Sequence, residues 1–289
     1  MDDALSLPGV ADVIAAAVAE DLGHGDITTR LTVAASSRAS AQIVAKQSGL
    51  LAGLPLVERV YALFGGVTLD RHYADGDPLE EGAVVAVVSG NTRALLGGER
   101  VALNLLQHLS GIATLTAAFV QAVGDARCRI VDTRKTLPGL RLLEKYAVRV
   151  GGGANHRFNL ADGILIKDNH IAAAGGVSAA VQSARAGAPH TLKIEVECTT
   201  LAQVDEALAA AADCILLDNM EVAAIAEAVQ RIAGRALVEA SGNMTLARVR
   251  AVAAAGVDLI SVGALTHSAP AFDFSMKLVT SSPSARGQG

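Results

Sequence analysis

The chain has 289 residues, of which 51% are hydrophobic and 18% charged, and its formal net charge is −5 at neutral pH. That balance excludes a disordered chain and leaves material for a large core, in two domains or in one barrel with an appendage. The negative balance also argues against nucleic acid or an anionic membrane as a partner, since either would need a basic surface excess.

The opening MDDALSLPGV carries early acids and no basic stretch, so no secretory leader is expected. Residues 10–21 have the spacing of a one-sided helix. GHGDITTRL follows as a turn in which Asp26 or Thr28 is placed to cap what comes next. Residues 37–54 alternate as strand, turn and strand, and LPLVERVYALFGG reads as a helix closed by Gly65 and Gly66. Residues 67–90 give short strands around Gly-Asp turns. Residues 91–122 form a long helical tract, expected as two helices broken near Ser110 and Gly111, which bridges to the second half. Charges and small residues interrupt every apolar run, so none is read as membrane-spanning.

From Ile130 onward the pattern becomes regular. The apolar strands IVDT, GILIKDN, LKIEVE, CILLDN, ALVEASG and LISVGA alternate with Ala-rich helical segments near 140–149, 177–187, 201–211, 221–233 and 245–255. Repeated βα units imply a parallel sheet with helices outside it. In each unit the polar residues follow the strand, where βα-barrels keep their catalytic groups. Six units, with a seventh allowed, predict an α/β fold built as an incomplete TIM-like barrel, the alternative being a doubly wound open sheet. The piece AFDFSMKLV returns one strand, and SSPSARGQG is expected to fray. Cys128, Cys198 and Cys214 lack CxxC spacing, which suits a reducing cytoplasm and gives no zinc signature.

Three constellations carry chemistry. Residues 129–171 gather Arg134, Lys135, His156, Arg157, Lys167 and His170 at two strand ends and on a Gly-Gly-Gly loop. Any one of them is ordinary as a rim charge, but six together want a ligand with several negative charges, since arginine forks onto carboxylates and lysine meets phosphate as a point charge. Glu197 and Asp218 end consecutive strands, with Glu195 on the same face as Glu197; such acids suit Mg²⁺ or sugar hydroxyls. Ser241-Gly242-Asn243 and Val262-Gly263-Ala264 each join a strand to a helix and offer backbone N–H groups to a phosphate. No activated serine or cysteine is evident, so the chemistry is expected to work by positioning and charge.

DTRKTLPGLR, GGGANHRFNL, LIKDNHI, IEVE, ILLDN, the SGN turn and VGALTHS, in this order, closely resemble the quinolinate phosphoribosyltransferases, as do EDLGHGDITT and GERVALNLLQHLSGIAT. The resemblance implies decarboxylating phosphoribosyl transfer from phosphoribosyl pyrophosphate (PRPP) to quinolinate, which gives nicotinate mononucleotide, pyrophosphate and CO₂ in NAD biosynthesis. It implies an N-terminal α/β sandwich at residues 1–107, joined by 268–289, and a barrel at 108–267. Arg134, His156, Arg157 and Lys167 would hold the two carboxylates, with Arg100 supplied by the neighbouring subunit of at least a homodimer. Lys135, beside Thr133 in the same substrate-binding stretch, would contact PRPP. Glu197 and Asp218 would hold ribose hydroxyls or Mg²⁺, directly or through water, and count with Lys135 as catalytic. Ser241, Gly242, Asn243, Val262, Gly263 and Ala264 would take the 5′-phosphate. Two alternatives stand beside this: a paralogue acting on another pyridine carboxylate such as nicotinate, and a binding module for a phosphorylated metabolite.

Overall fold

The computed structural model describes residues 5, 8–124 and 126–279. The chain divides into two compact units, Met1–Thr114 with Leu142–Val150 and Ala269–Gly289, and Leu115–Arg141 with Gly151–Ser268. The SSPSARGQG run lies outside the described residues.

In the first unit, Asp26 Oδ1 accepts the Thr29 N–H at 2.9 Å and caps the short helix α2 (Ile27–Thr32), which follows α1 (Pro8–Leu22). The sheet runs β12 (Phe274–Val279), β1 (Arg38–Ala45), β5 (Val84–Asn91) and β3 (Thr68–Arg71), all antiparallel neighbours. In β1 the alternation is plain: Ala41, Ile43 and Ala45 are buried, while Ser40 on the other face bonds Ser89 Oγ at 2.7 Å. β2 (Gly49–Leu50) pairs with β4 (Pro78–Leu79) as a separate ribbon. The amphipathic helix α3 (Leu54–Ala62) buries Leu56, Val57, Val60 and Tyr61.

The bridge tract is one helix, α4 (Thr92–Val123), 32 residues long, and not the two helices the sequence suggests. Ser110 and Gly111 mark packing, not a break. Ser110 Oγ bonds the Ala52 backbone, and a Cβ on Gly111 would run into the Pro270 carbonyl. By length and composition α4 is apolar enough to cross a membrane, unlike the reading above, but Leu95, Leu103, Leu106, Leu109 and Ile112 are buried in the protein core. The helix at the 140–149 position is α5 (Arg141–Val150). Periodicity counts it among the barrel helices; by packing Leu142–Val150 belongs to the first unit, where Tyr146 donates to Asp75 at 2.7 Å and His108 meets buried Glu144 at 2.9 Å.

The second unit is a six-stranded parallel sheet in the order β6 (Arg129–Val131), β11 (Leu259–Ser261), β10 (Leu237–Ser241), β9 (Cys214–Asp218), β8 (Ile194–Cys198), β7 (Ile164–Ile166). Each strand from β7 to β11 lies beside the one before it, so every crossover steps the same way. A doubly wound sheet reverses direction at its centre; this one does not, and its winding is that of a barrel. Among the described residues β6 and β7 do not pair and the barrel stays open between them, with an isolated bridge from Val131 to Ala154 at the β6 edge. The helices α7 (Val177–Gly187), α8 (Leu201–Ala209), α9 (Val222–Ile232) and α10 (Leu246–Ala254) form successive neighbours in one outer layer. Ile194, Val196, Ile215, Leu217, Val238 and Ala240, alternate residues of the central strands, are buried at 0–4% exposure and leave the other alternate set for the interior.

Candidate active site

That interior set builds the site. A cavity of about 540 Å³ is lined by Leu165, Glu197, Leu216, Asp218, Glu239, Ser241 and Ser261 from the strands. These are residues of one face taken at spacing two, and they come from the C-terminal ends of β7 to β11. Register sets Glu197, Leu216 and Glu239 level with one another, with Asp218 and Ser241 level one step further out.

The cations arrive on two segments that leave the sheet. Thr133, Arg134 and Lys135 follow β6 directly and line the cavity. His156 and Arg157 sit on the Gly-rich loop, and Asp132 fixes that loop. Its buried carboxylate accepts the Asn155 side chain at 2.6 Å and the His156 N–H at 2.9 Å, while Ala154 N–H reaches the Ile130 carbonyl at 2.8 Å. Arg157 donates to the Gly163 carbonyl at 2.8 Å. Burial, and then the adjacent Arg134 guanidinium, press Arg157 below its ordinary value against the pull of Glu195 and Asp162. Two guanidiniums held this close call for an anion between them. Arg134 Nε is itself buried without a hydrogen-bond partner.

Lys167 leaves β7 toward the cavity and pairs with Glu197, which is largely buried. Asp218 Oδ2 accepts the Asn219 amide at 2.8 Å, and Asn219 Oδ1 in turn accepts Asn243 Nδ2 at 3.0 Å. Asn219 and Asn243 both hold left-handed backbone, φ 54° and 49°, and Gly242 lies between their chains at φ +91°. The turn after β10 is thereby locked to the end of β9.

Of the expected site residues, Thr133, Arg134, Lys135, His156, Arg157, Lys167, Glu197, Asp218, Ser241, Gly242 and Asn243 share this one cavity. Others are not in its lining. His170 is turned back: its Nδ1 accepts the Lys167 N–H at 2.9 Å at the start of α6 (Asp168–Ala174), so it closes a helix end and does not join the cationic cluster. Val262, Gly263 and Ala264 also lie outside the lining. The Val262 N–H is spent on the Val131 carbonyl at 2.9 Å, and a Cβ on Gly263 would come within 3.0 Å of the Lys135 stem. The VGA turn therefore makes room for Lys135. Arg100 is exposed on α4 in the first unit and is not among the cavity residues.

Sequence reasoning passed over Glu239, Asn219, Leu165, Leu216 and Ser261. Glu239 is 1% exposed, and with His156 and Glu195 it offers three ligand-type atoms within 4.8 Å of one another. Its signal was present in LVEAS, two positions before Ser241 on the same face. The three thiols are buried, and burial drives Cys128 and Cys198 up to about 12 and Cys214 higher still. None is a nucleophile at neutral pH.

An open barrel whose cavity sets two arginines and two lysines against three carboxylates, Glu197, Asp218 and Glu239, defines an enzyme for small, multiply charged anions. The comparisons narrow that class. The C-terminal domain of quinolinate phosphoribosyl transferase matches residues 112–277 and its N-terminal domain residues 26–110. The chain is 46% identical over 266 residues to a probable nicotinate-nucleotide pyrophosphorylase [carboxylating] of Bacillus subtilis, covering 92% of each chain. It is 42% identical to quinolinate phosphoribosyltransferase [decarboxylating] 1b of Nicotiana tabacum, covering 93% of this chain and 82% of that one. The crystal structure of NadC from Streptococcus pyogenes superposes with a TM-score of 0.90 at 47% identity, over 96% of this chain and 98% of the other. The chain belongs to the quinolinate phosphoribosyltransferase family.

Proposed function

We propose that the chain transfers phosphoribose from PRPP to the ring nitrogen of quinolinate and releases pyrophosphate and CO₂, forming nicotinate mononucleotide for NAD biosynthesis. The observation that carries the reading is the split character of the cavity: Arg134, Lys135, Arg157 and Lys167 on the segments around its rim, Glu197 and Asp218 at the strand ends. A dianionic pyridine suits the guanidinium pair and Lys167, whose combined charge exceeds what a monocarboxylate such as nicotinate needs.

The chemistry follows from charge placement. As pyrophosphate departs, C1′ of the ribose gains oxocarbenium character, which Glu197 and Asp218 stabilise from beside the sugar while Lys135 steadies the leaving group. The SGN turn, with Gly242 and Asn243 in left-handed backbone, presents N–H groups for the 5′-phosphate. Glu197 and Asp218 are hard oxygen donors facing the same cavity, a set that fits Mg²⁺ shared with a pyrophosphate. Bound there, the ion would neutralise the leaving group's charge. Lys167 pairs with Glu197 here, and an ion held by Glu197 would leave the ammonium to a substrate carboxylate.

Arg100 is assigned to the cavity of a second copy in a homodimer, a reading supported by its exposure on α4. The three unbridged, buried thiols support a cytoplasmic address. Purified protein with quinolinate, PRPP and magnesium should yield nicotinate mononucleotide, pyrophosphate and CO₂ in equal amounts. Equal turnover of nicotinate in the same assay would overturn the charge argument, and no product from either acid would leave only a binding module.

A further inference from the structure

We propose that Glu239 is the acid whose proton takes the place of the departing carboxylate, an inference that rests on the decarboxylating reading above. Three groups, His156, Glu195 and Glu239, bring side-chain atoms within 4.8 Å of one another, and His156 and Glu239 line the cavity. His156 Nδ1 accepts the Arg157 backbone N–H at 2.7 Å, so the ring carries its proton on Nε2, which points at Glu195 Oε2 3.0 Å away. Glu195 also accepts the Cys214 thiol on Oε1 at 3.4 Å. Both of its oxygens therefore act as acceptors. Glu239, with Oε2 4.0 Å from His156 Nε2, is the member left to hold an exchangeable proton.

Two further observations agree. Glu239 lines the cavity, and its Oε1 is buried there without a geometric hydrogen-bond partner among the described residues. Burial, and then the neighbouring Glu195, push its carboxyl up to about 8. A carboxylic acid kept neutral in this way is a donor matched to neutral pH.

The step balances. Once the ring nitrogen is alkylated and positive, the bond from C2 to its carboxylate breaks and the electron pair stays on C2. As CO₂ leaves, the O–H bond of Glu239 breaks and its proton joins that pair to form the C2–H of nicotinate mononucleotide. Glu239 is left as a carboxylate, disfavoured by burial beside Glu195, and takes a proton from water when product leaves.

The test is Glu239→Gln, which keeps the shape and can still donate a hydrogen bond but cannot surrender a proton. In a single turnover with quinolinate, PRPP and magnesium, pyrophosphate and CO₂ are followed separately. Pyrophosphate release is expected within a few-fold of wild type, while CO₂ release falls by about 10²-fold, in the range a general acid contributes, and the undecarboxylated mononucleotide accumulates. CO₂ keeping pace with pyrophosphate overturns the assignment, as does a stoichiometric divalent metal found on His156, Glu195 and Glu239 in the purified enzyme. Should the variant not fold, wild type in D₂O decides: CO₂ release slowed relative to pyrophosphate supports the transfer, and no difference overturns it. Wild type that releases no pyrophosphate sinks the underlying reading, a result distinct from either.

Discussion

Replacing Gly242 with alanine tests the lock between the ends of β9 and β10. Gly242 holds φ +91°, and an added Cβ would overlap Asn219 Oδ1 and stand 3.0 Å from the Asn219 backbone nitrogen. A side chain in that backbone region costs about 1–2 kcal/mol. Displacing Asn219 costs about 1 kcal/mol more, because its amide serves Asp218 and accepts from Asn243. The total, about 2–3 kcal/mol, lowers the melting temperature by roughly 5–10 °C in a chain of this size. If a third to a half of it is felt at Asp218, kcat/KM for PRPP falls about 3- to 13-fold, since about 1.4 kcal/mol is a factor of ten. The quinolinate KM should move little, as Arg134 and Arg157 sit on other segments. Gly187→Ala is the control: it ends α7, and a Cβ there meets nothing within 4 Å. Wild-type melting and PRPP kinetics in Gly242→Ala would refute the claim that this turn holds Asp218 in place.

The remaining predictions divide the site by substrate, by subunit and by pH. Arg134→Ala or Arg157→Ala should raise the quinolinate KM by about 10²-fold, the cost of losing a charge-assisted bidentate contact, and leave PRPP affinity nearly intact. Lys135→Ala and Asp218→Ala should show the converse; initial rates with each substrate varied in turn separate the two, and near wild-type values in all four variants would refute the assignment. Arg100→Ala and Lys135→Ala proteins, each inactive alone, should regain roughly a quarter of wild-type activity when unfolded together and refolded, because half the random dimers carry one intact site of two. No recovery would mean that Arg100 serves its own chain or none. Glu239 is pushed up to about 8 when folded and returns to the usual carboxylate range when unfolded. Between those values the folded state holds a proton that the unfolded state has lost, so stability is greatest at the acid end and declines as pH rises toward 8. Melting curves of Glu239→Gln should lack that decline; parallel curves for the two proteins would count against a protonated Glu239.

The barrel was legible because parallel strands buried on both faces read as continuous apolar runs, as Cys214–Leu217 does before the strand ends in Asp218. The site was legible because polar residues recur just where those runs stop. What was missed has physical reasons. α6 is seven residues long with no buried face, so no periodicity marks it, and the role of His170 as its end-closing acceptor stayed hidden. The break expected at Ser110-Gly111 rests on glycine's low helix propensity, which tertiary packing overrides where another chain segment needs the space. Nothing in the spacing of residues 142–150 says which unit their apolar face meets. Glu239 was passed over because sequence gives alternation but not register, and register brings it level with Glu197 and near His156 and Glu195.

The same alternation explains how an acidic chain presents a cation-rich mouth. Residues on strands are fixed by the pleat, so acids placed there, Glu195, Glu197, Asp218 and Glu239, are held low and rigid in the interior. The cations sit just beyond the strands, on segments with longer reach, and are tied down by Asp132, Gly163 and Glu197. A substrate entering from the mouth meets positive charge first, which draws in a dianion and a pyrophosphate, and meets the acids only where a positive ribosyl centre is to form. Reversing the layers would repel both substrates and leave the oxocarbenium facing cations. The order of charge from floor to rim is thus dictated by the order of events in the reaction, and exchanging Glu197 for lysine should abolish ribosyl transfer while quinolinate binding, measured by calorimetry, persists.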